Sequence, residues 1–202
     1  MTDKTWKGYF KNAPDKPNDL VVVAAKHVPR LGDALDLGSG NGRDSVYLQR
    51  QGFALVVAVD SSPDATVVMP GGIIFYGKSI EEYMLERPEF ALAGRYSLVI
   101  SMNTLFFIDK KAAYQVLARM YTALEPGGIM AFNLLGENDE EAGWAAQGRT
   151  VSRFTKSEAN VLKHTYPPIM VGGYTEREWD GALAGGAVHH WHLYEFICQK
   201  PH

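Results

Sequence analysis

The sequence predicts a doubly wound α/β domain with a mostly parallel, seven-stranded sheet and an antiparallel hairpin at one edge. Three observations support this prediction. Short apolar runs alternate with segments of helical character from residue 17 onward. The run Phe53–Val59 is apolar throughout, which suits a strand covered on both faces in a parallel sheet. Near the end of the chain, two apolar segments follow each other without a helix between them, which is typical of an edge hairpin.

Capping and turn residues mark where the predicted helices begin and end. Pro17 and Asn18 precede an apolar stretch and predict the start of a helix, whereas Pro29 predicts its end. Gly52 is expected to close the next helix, which begins at Asp44. The other predicted helices are 81–86, 110–124 and 156–164. The predicted strands are 34–37, 53–59, 73–76, 96–101, 129–134, 169–175 and 191–199. A stretch rich in glycine and alanine, 181–187, is expected to join the last two strands.

The chain is expected to hold one domain and a short arm. Its 202 residues are enough for a single core, which we assign to residues 17–202. Residues 1–16 show no clear period and are expected to form an N-terminal arm. The aromatic residues of this arm, Trp6, Tyr9 and Phe10, are interpreted either as a lid that dries a binding site or as simple packing on the domain.

The composition of the chain limits the kinds of molecule that it is expected to bind. The formal net charge is −3, which is a poor electrostatic match for a polyphosphate backbone, so no nucleic-acid partner is expected. The single cysteine, Cys198, excludes an intrachain disulfide. The polar N-terminal segment is unlike a secretory signal, and no apolar run approaches the roughly 20 residues that span a bilayer. A soluble, cytoplasmic protein with no membrane partner is expected, and the oligomeric state is left open.

The most informative segment is the glycine loop, Gly38-Ser39-Gly40-Asn41-Gly42, which leaves the first strand of the sheet and enters a helix. Glycines at this place let the backbone turn sharply and let a ligand approach closely. The spacing departs from the G-x-G-x-x-G pattern of dinucleotide-binding loops, because the third glycine comes one residue early. The carboxyl end of a central strand in an open α/β sheet is where ligands bind.

Two carboxylates flank this loop in sequence. Asp36, two residues before the first glycine, would repel a diphosphate and attract an ammonium or sulfonium group. Asp60 ends the next strand, where a carboxylate can accept both hydroxyls of a ribose. The loop and both acids therefore describe an adenosine-bearing ligand with a cationic amino-acid end and no pyrophosphate. S-adenosylmethionine fits all three features.

A family resemblance rests on the same residues. The segment LDLGSGNGRDSVYLQRQGF, followed by VVAVD, resembles the first two motifs of class I S-adenosylmethionine-dependent methyltransferases, which have a Rossmann-like fold. Within it, GNGRDSVYL is similar to the tellurite-resistance-type branch, whose members methylate small molecules. The later segments YSLVISMNTLFFID, LEPGGIMAFNLLG and HHWHLYEFICQK resemble the fourth, fifth and seventh strands of the family.

The resemblance implies roles for individual residues. Asp36 would face the methionyl ammonium, Asp60 would hold the ribose, and the residues of the glycine loop would pass under the methionine and ribose. Ser61 is expected beside the adenine. The family's acid after the third strand is replaced by Ser79, whose hydroxyl could accept from the adenine amino group while the Ile80 backbone N–H donates. Ser101, Met102 and Asn103 are expected to line the junction between donor and acceptor.

The catalytic prediction includes two histidines and an asparagine. His190 or His192 is interpreted as a general base near the acceptor, and Asn103 as a residue at the reacting centre. Because successive strand residues point to opposite faces, His190 and His192 share a face and His189 does not, so no metal site is predicted. S-adenosylhomocysteine would be the product.

The acceptor is expected to be a small molecule, such as a thiol or a metalloid oxyanion, since neither needs a general base. The loop Ser-Met-Asn-Thr after the fourth strand differs from the Asn-Pro-Pro-Tyr type of enzymes that methylate planar amino groups. Arg149 and Arg153 either hold an anionic acceptor or lie in solvent. Two alternatives stay open: a nicotinamide-dependent oxidoreductase on a related sheet, and a non-catalytic nucleotide-binding protein.

Overall fold

The fold is taken from a computed structural model, which describes residues 6, 10, 15–62, 65, 71–86, 93–140, 148–182 and 187–202. Tyr9, most of the predicted arm 1–16 and the residues 183–186 of the predicted connection lie outside the described residues. The described strands are β1 Asp33–Leu37, β2 Leu55–Asp60, β3 Ile73–Gly77, β4 Tyr96–Ser101, β5 Leu124–Gly136, β6 Arg153–Phe154, β7 Tyr174–Ala182 and β8 Val188–Gln199.

One mixed sheet holds all the described strands. Their order is β3-β2-β1-β4-β5-β8-β7, with the two-residue β6 beside β5. Strands β1 to β6 pair in parallel, whereas β8 is antiparallel to both β5 and β7. This confirms the predicted doubly wound, mostly parallel sheet with an antiparallel edge hairpin. The chain order reverses beside β1, so the carboxyl ends of β1 and β4 form the crevice where such sheets bind ligands.

Helices cover both faces of the sheet. They are α1 Asp19–Lys26, α2 Arg43–Gln51, α3 Lys110–Ala123 and α4 Lys156–Thr165, with a π-helical turn over Glu82–Glu86 and a 3-10 turn over Leu105–Phe107. The side chains of α1 and α2 pack with one face of the sheet, and those of α3, α4 and the π-helical turn pack with the other. The predicted caps hold: the Asn18 side chain accepts from Leu20 N–H, and Gly52 ends α2 with φ +96°.

Two boundary predictions are wrong. The strand expected at 169–175 lies instead at Tyr174–Ala182, none of whose residues is fully buried, as suits an edge strand with one solvated face. Most of the predicted apolar segment stays outside this strand, and Met170 and Val171 are exposed. The strand expected at 129–134 is longer, because it is the part of β5 that follows a bulge near Gly127, which has φ +78°.

Two further findings bear on the compositional predictions. Cys198 is fully buried in β8, and burial raises the pKa of its thiol to about 12. No helix in the described part of the chain combines the length and apolar character needed to cross a membrane.

Candidate active site

The glycine loop links β1 to α2 in a conformation that glycine alone adopts easily. Gly38, Gly40 and Gly42 have φ values of +77°, +53° and +77°. The backbone N–H groups of Gly38 and Ser39 both donate to the Val59 carbonyl, at 2.8 and 3.0 Å, so the loop is fastened to β2. The buried hydroxyl of Ser39 has no hydrogen-bond partner among the described residues, and a ligand on the loop would supply one.

Asp60 stands at the end of β2 and holds the loop from the other side. Its Oδ2 accepts from Gly40 N–H at 2.8 Å, and its Oδ1 accepts from Ser62 N–H at 2.8 Å. Each carboxylate oxygen keeps a second lone pair, so both can still accept from a ribose hydroxyl. Burial is the largest influence on Asp60 and raises its pKa. Ser61, predicted beside the adenine, is exposed.

Asp36 lies under the loop, near the end of β1, and is 2% exposed. Its Oδ2 accepts from the Ser45 hydroxyl on α2 at 2.6 Å. Burial, reinforced by the negative charges of Asp44 and Asp60, raises the pKa of Asp36 to about 8. A carboxyl group in this state keeps a proton near neutral pH and becomes an anion when a cation binds beside it.

The carboxyl ends of β4 and β5 are joined by a pair of asparagines. Asn103 has φ +52°, its N–H donates to Asn133 Oδ1 at 2.7 Å, and its Oδ1 accepts from Asn133 Nδ2 at 2.6 Å. Among the described residues, the side-chain nitrogen of Asn103 has no hydrogen-bond acceptor. Ser101 is fully buried and its hydroxyl donates to the Leu37 carbonyl at 3.0 Å, which ties β4 to the start of the glycine loop.

The residues predicted to bind adenine follow β3. The Ser79 hydroxyl accepts from Glu82 N–H at 3.0 Å and so begins the π-helical turn. Ile80 is 4% exposed and packs into the core beside that turn. The hydroxyl of Ser79 therefore has a local structural role, and its contact with adenine stays a prediction.

The arm contributes aromatic side chains to this site. The Phe10 ring lies 3.1 Å from the position that a Cβ on Gly40 would take. Trp6 stacks on Phe10 with a centroid distance of 5.9 Å and meets Phe107, after β4, edge to face at 5.4 Å. The Phe10 ring therefore lies against the glycine loop, whereas the opening and closing of residues 1–16 as a lid stays a prediction.

The hairpin histidines lie in three different environments. His190 is partly exposed, and its ring nitrogens are 2.7 Å from Asp180 Oδ1 and 2.9 Å from Glu178 Oε1. These hydrogen bonds raise the pKa of His190. The buried His192 accepts from Asn138 N–H at its Nδ1 atom, 3.1 Å away.

His189 is 1% exposed and its Nε2 lies 3.1 Å from Asp139 Oδ1. Within the described residues, no three His, Cys, Asp or Glu side chains converge into a metal-binding group. None of the hydrogen bonds described for His190 and His192 reaches a residue of the glycine loop. The role of either histidine as a base therefore stays a prediction.

Sequence reasoning missed two residues of the site. Asn133 lies in the predicted strand 129–134, where it is the one polar residue among apolar ones, and that is the feature of the sequence that could have indicated it. Thr104 lies against the loop: a Cβ on Gly38 would come within 2.1 Å of Thr104 Oγ1. No local pattern indicates that contact, because it arises from the pairing of β1 with β4.

The sequence model of a family described as "Methyltransferase domain" matches residues 34–128. Residues 34–128 therefore form a methyltransferase domain. The matched segment runs from β1 into β5 and contains the glycine loop, Asp60 and Asn103. None of the curated protein sequences matches the chain significantly.

Solved structures similar to this methyltransferase share its fold. The 1,6-didemethyltoxoflavin-N1-methyltransferase of Burkholderia thailandensis, solved with bound 1,6-didemethyltoxoflavin and S-adenosylhomocysteine, is 18% identical, with a TM-score of 0.60 over 98% of this chain and 82% of that one. TehB of Haemophilus influenzae is 16% identical, with a TM-score of 0.68 over 89% of this chain and 61% of that one. A putative methyltransferase of Haloferax volcanii, in complex with the Trm112 activator, is 15% identical, with a TM-score of 0.68 over 98% and 95%.

The residues around the loop of this methyltransferase fit S-adenosylmethionine as its cofactor. Glycines leave the surface of the loop without side chains, Asp60 has lone pairs for a ribose, and Asp36 can ionise beside an ammonium group. The unpaired Ser39 hydroxyl adds a polar contact. A diphosphate would instead meet the buried Asp36 and the half-buried Asp60, two acidic groups, which is unfavourable.

Asp60→Ala should weaken the binding of S-adenosylhomocysteine by about 1–3 kcal/mol, because it removes a charged hydrogen-bond acceptor from the ligand and from Gly40 N–H. Calorimetric titration measures this change, and circular dichroism checks that the variant is folded. Asp109→Ala is the matched control, since Asp109 caps α3 away from the loop and its loss should leave ligand affinity unchanged. Equal affinities of wild type and a folded Asp60→Ala variant would show that the ribose lies elsewhere.

Proposed function

We propose that this methyltransferase transfers the methyl group of S-adenosylmethionine to a small-molecule acceptor by in-line displacement. The observation that carries the proposal is the glycine loop held between two carboxyl groups, the buried Asp36 beneath it and the half-buried Asp60 beside it. This arrangement suits a nucleoside that has a ribose at one end and a cationic amino acid at the other.

The proposed roles follow from position. Asp36 binds the methionyl ammonium and Asp60 binds the ribose hydroxyls. Gly38 and Gly40 provide the positive φ angles that shape the loop under the ligand, while Asn103 presents, where β4 ends, amide donors that have no acceptor among the described residues. Ser101 keeps β4 and the loop in register through its bond to the Leu37 carbonyl.

Methyl transfer depends mainly on the alignment of the methyl donor with the acceptor. The acceptor's nucleophilic atom forms a bond to the methyl carbon while the carbon–sulfur bond breaks, and the sulfur keeps the electron pair to give S-adenosylhomocysteine. Alignment of the two partners and exclusion of water can supply roughly 7–11 kcal/mol in favourable cases. The aromatic rings of Trp6 and Phe10 over the loop are suited to exclude water.

A small acceptor is supported by the Trp6 and Phe10 rings beside the loop and by the net charge of −3, which disfavours a nucleic-acid substrate. A thiol or a metalloid oxyanion is the proposed class, because such nucleophiles react without a general base. If the acceptor carries a proton that must be removed, His190 or His192 is the proposed base. Placement in the tellurite-resistance-type branch is proposed on the GNGRDSVYL segment and the shared fold of TehB.

Incubation with methyl-labelled S-adenosylmethionine and a panel of thiols, selenite, tellurite and small amines tests this function. We expect label in a thiol or an oxyanion product, tight binding of S-adenosylhomocysteine and no binding of NAD. Binding of S-adenosylhomocysteine without transfer to any acceptor would favour a non-catalytic binding protein. Binding of NAD in its place would favour an oxidoreductase.

A further inference from the structure

Arg149 is a charged side chain near the site that is buried against aromatic rings. It lies between β5 and β6 and is only 9% exposed. Its guanidinium carbon is 4.2 Å from the centroid of the Trp6 ring and 5.7 Å from that of Phe107. Cation–π contacts of this kind use the flat face of the guanidinium and leave its N–H groups at the edge.

The charge of Arg149 has no counter-ion among the described residues. No hydrogen bond or ion pair joins its N–H groups to any side chain or carbonyl in that part of the protein. Burial lowers the pKa of Arg149, yet a guanidinium stays protonated at every physiological pH. A buried cation without a partner is costly, and an anion at its free edge would remove that cost.

The position of Arg149 connects it to the donor loop. Trp6, which covers the guanidinium, stacks on Phe10, and Phe10 lies against Gly40. Arg149 is therefore separated from the glycine loop by two aromatic rings, on the side where β4 ends and an acceptor must enter.

The segment that carries Arg149 is fixed in place. Ser152 N–H donates to the Phe106 carbonyl at 2.8 Å, and the Ser152 hydroxyl donates to the Ile108 carbonyl at 2.7 Å. These bonds tie the segment to the 3-10 turn after β4, beside Phe107. Arg153, by contrast, is exposed and donates to the Asp139 carbonyl at 3.1 Å.

We propose that Arg149 is the acceptor-binding residue and that the acceptor carries an anionic oxygen group, a carboxylate or an inorganic oxyanion, which the edge of the guanidinium binds through paired hydrogen bonds. The rings of Trp6 and Phe107 form the apolar wall beside that group. This inference rests on the proposed function, since it names the class of the methyl acceptor.

Titration of the complex with S-adenosylhomocysteine tests the proposal without knowledge of the acceptor. The probes are benzoate as an organic carboxylate, selenite as an inorganic oxyanion and benzamide as a neutral match for benzoate. We expect one of the two anions to bind the wild type, and Arg149→Met to weaken its binding by at least about tenfold. Which anion binds distinguishes the two sources, and benzamide should bind weakly to both proteins.

Two further variants sharpen the result. Arg149→Lys keeps the positive charge but loses the planar guanidinium, so its affinity for the anion should lie between those of Arg149→Met and the wild type. It also tests the proposal if Arg149→Met does not fold. Arg153→Met is the matched control in the same segment and should bind the anion as the wild type does. Failure of both anions to bind the wild type, or equal affinities of wild type and Arg149→Met, would overturn the proposal.

The same titrations separate this inference from the proposed function. Binding of S-adenosylhomocysteine should be the same in wild type, Arg149→Met and Arg153→Met. If the nucleoside binds and the anion does not, the assignment of Arg149 fails while the donor site stands. If the nucleoside itself does not bind, the proposed function fails.

Discussion

Asp36→Asn is expected to remove most of the pH dependence of donor binding and to weaken binding at alkaline pH. In the wild type, the pKa of Asp36 is raised to about 8, so the carboxyl group must release a proton when the methionyl ammonium binds. Wild-type affinity for S-adenosylhomocysteine should therefore fall as the pH falls below 8, by up to about tenfold for each pH unit. Asparagine cannot ionise, so at pH 8.5 the variant should bind about 1.5–3 kcal/mol more weakly.

The same substitution is expected to change how folding stability depends on pH. The folded wild type holds a proton on Asp36 that the unfolded chain releases above the ordinary value of 3.8, so this contribution is complete below that value and is lost as the pH rises toward 8. The variant should lose less stability over this window. Its Oδ1 can still accept from the Ser45 hydroxyl, which preserves the local geometry.

Calorimetry between pH 6 and 8.5 and thermal unfolding over pH 5 to 8.5 measure both effects. Asp33→Asn is the matched control, because Asp33 lies at the opposite end of β1 and pairs with Arg95 at 3.1 Å. That variant should keep the wild-type affinity and its pH profile. A wild-type affinity that is constant from pH 6 to 8.5 would contradict the assignment of a protonated Asp36.

Gly38→Ala is expected to destabilise the protein by about 2–4 kcal/mol and to abolish donor binding. The φ of +77° is unfavourable for any residue with a Cβ, and that Cβ would lie 2.1 Å from Thr104 Oγ1 and 2.6 Å from Thr104 Cβ. Rotation of the threonine side chain cannot move its own Cβ, so the backbone of the loop must shift.

Urea unfolding and calorimetric titration measure these losses. Gly94→Ala is the control for backbone conformation, because Gly94 has φ +69° and a Cβ there would meet nothing within 4 Å. Gly38→Ala should be clearly more destabilising than this control, and adding Thr104→Gly should recover the difference. Equal effects of Gly38→Ala and Gly94→Ala would show that the loop is not packed against Thr104.

Local patterns were sufficient for some elements and misleading for others. Gly52 closes α2 as predicted, because a C-cap depends on the backbone conformation of one residue. The predicted strand at 169–175 was displaced by the pairing of Tyr174–Ala182 with β8, in which Trp179 stacks on Trp191 at a centroid distance of 6.0 Å. Long-range pairing of this kind overrides a local apolar run.

The candidate site shows the same division. Asp36 and Asp60 could be found because strand ends and loop glycines have fixed spacings, and the structure places them on two sides of the loop. Asn133 could not be assigned, since its role depends on Asn103 at the end of a neighbouring strand. The two interpretations of Arg149 and Arg153 could be separated only by their burial.

The sequence by itself determined the order of strands and helices apart from the two-residue β6, the glycine loop and the two acids beside it, because these depend on backbone freedom and on side chains a few residues apart. Only the tertiary structure decided which charged groups lose water and which find partners. The raised pKa of Asp36 and the lowered pKa of Arg149 arise mainly from desolvation in the folded chain. Desolvation depends on the complete packing of the molecule, which no local pattern specifies.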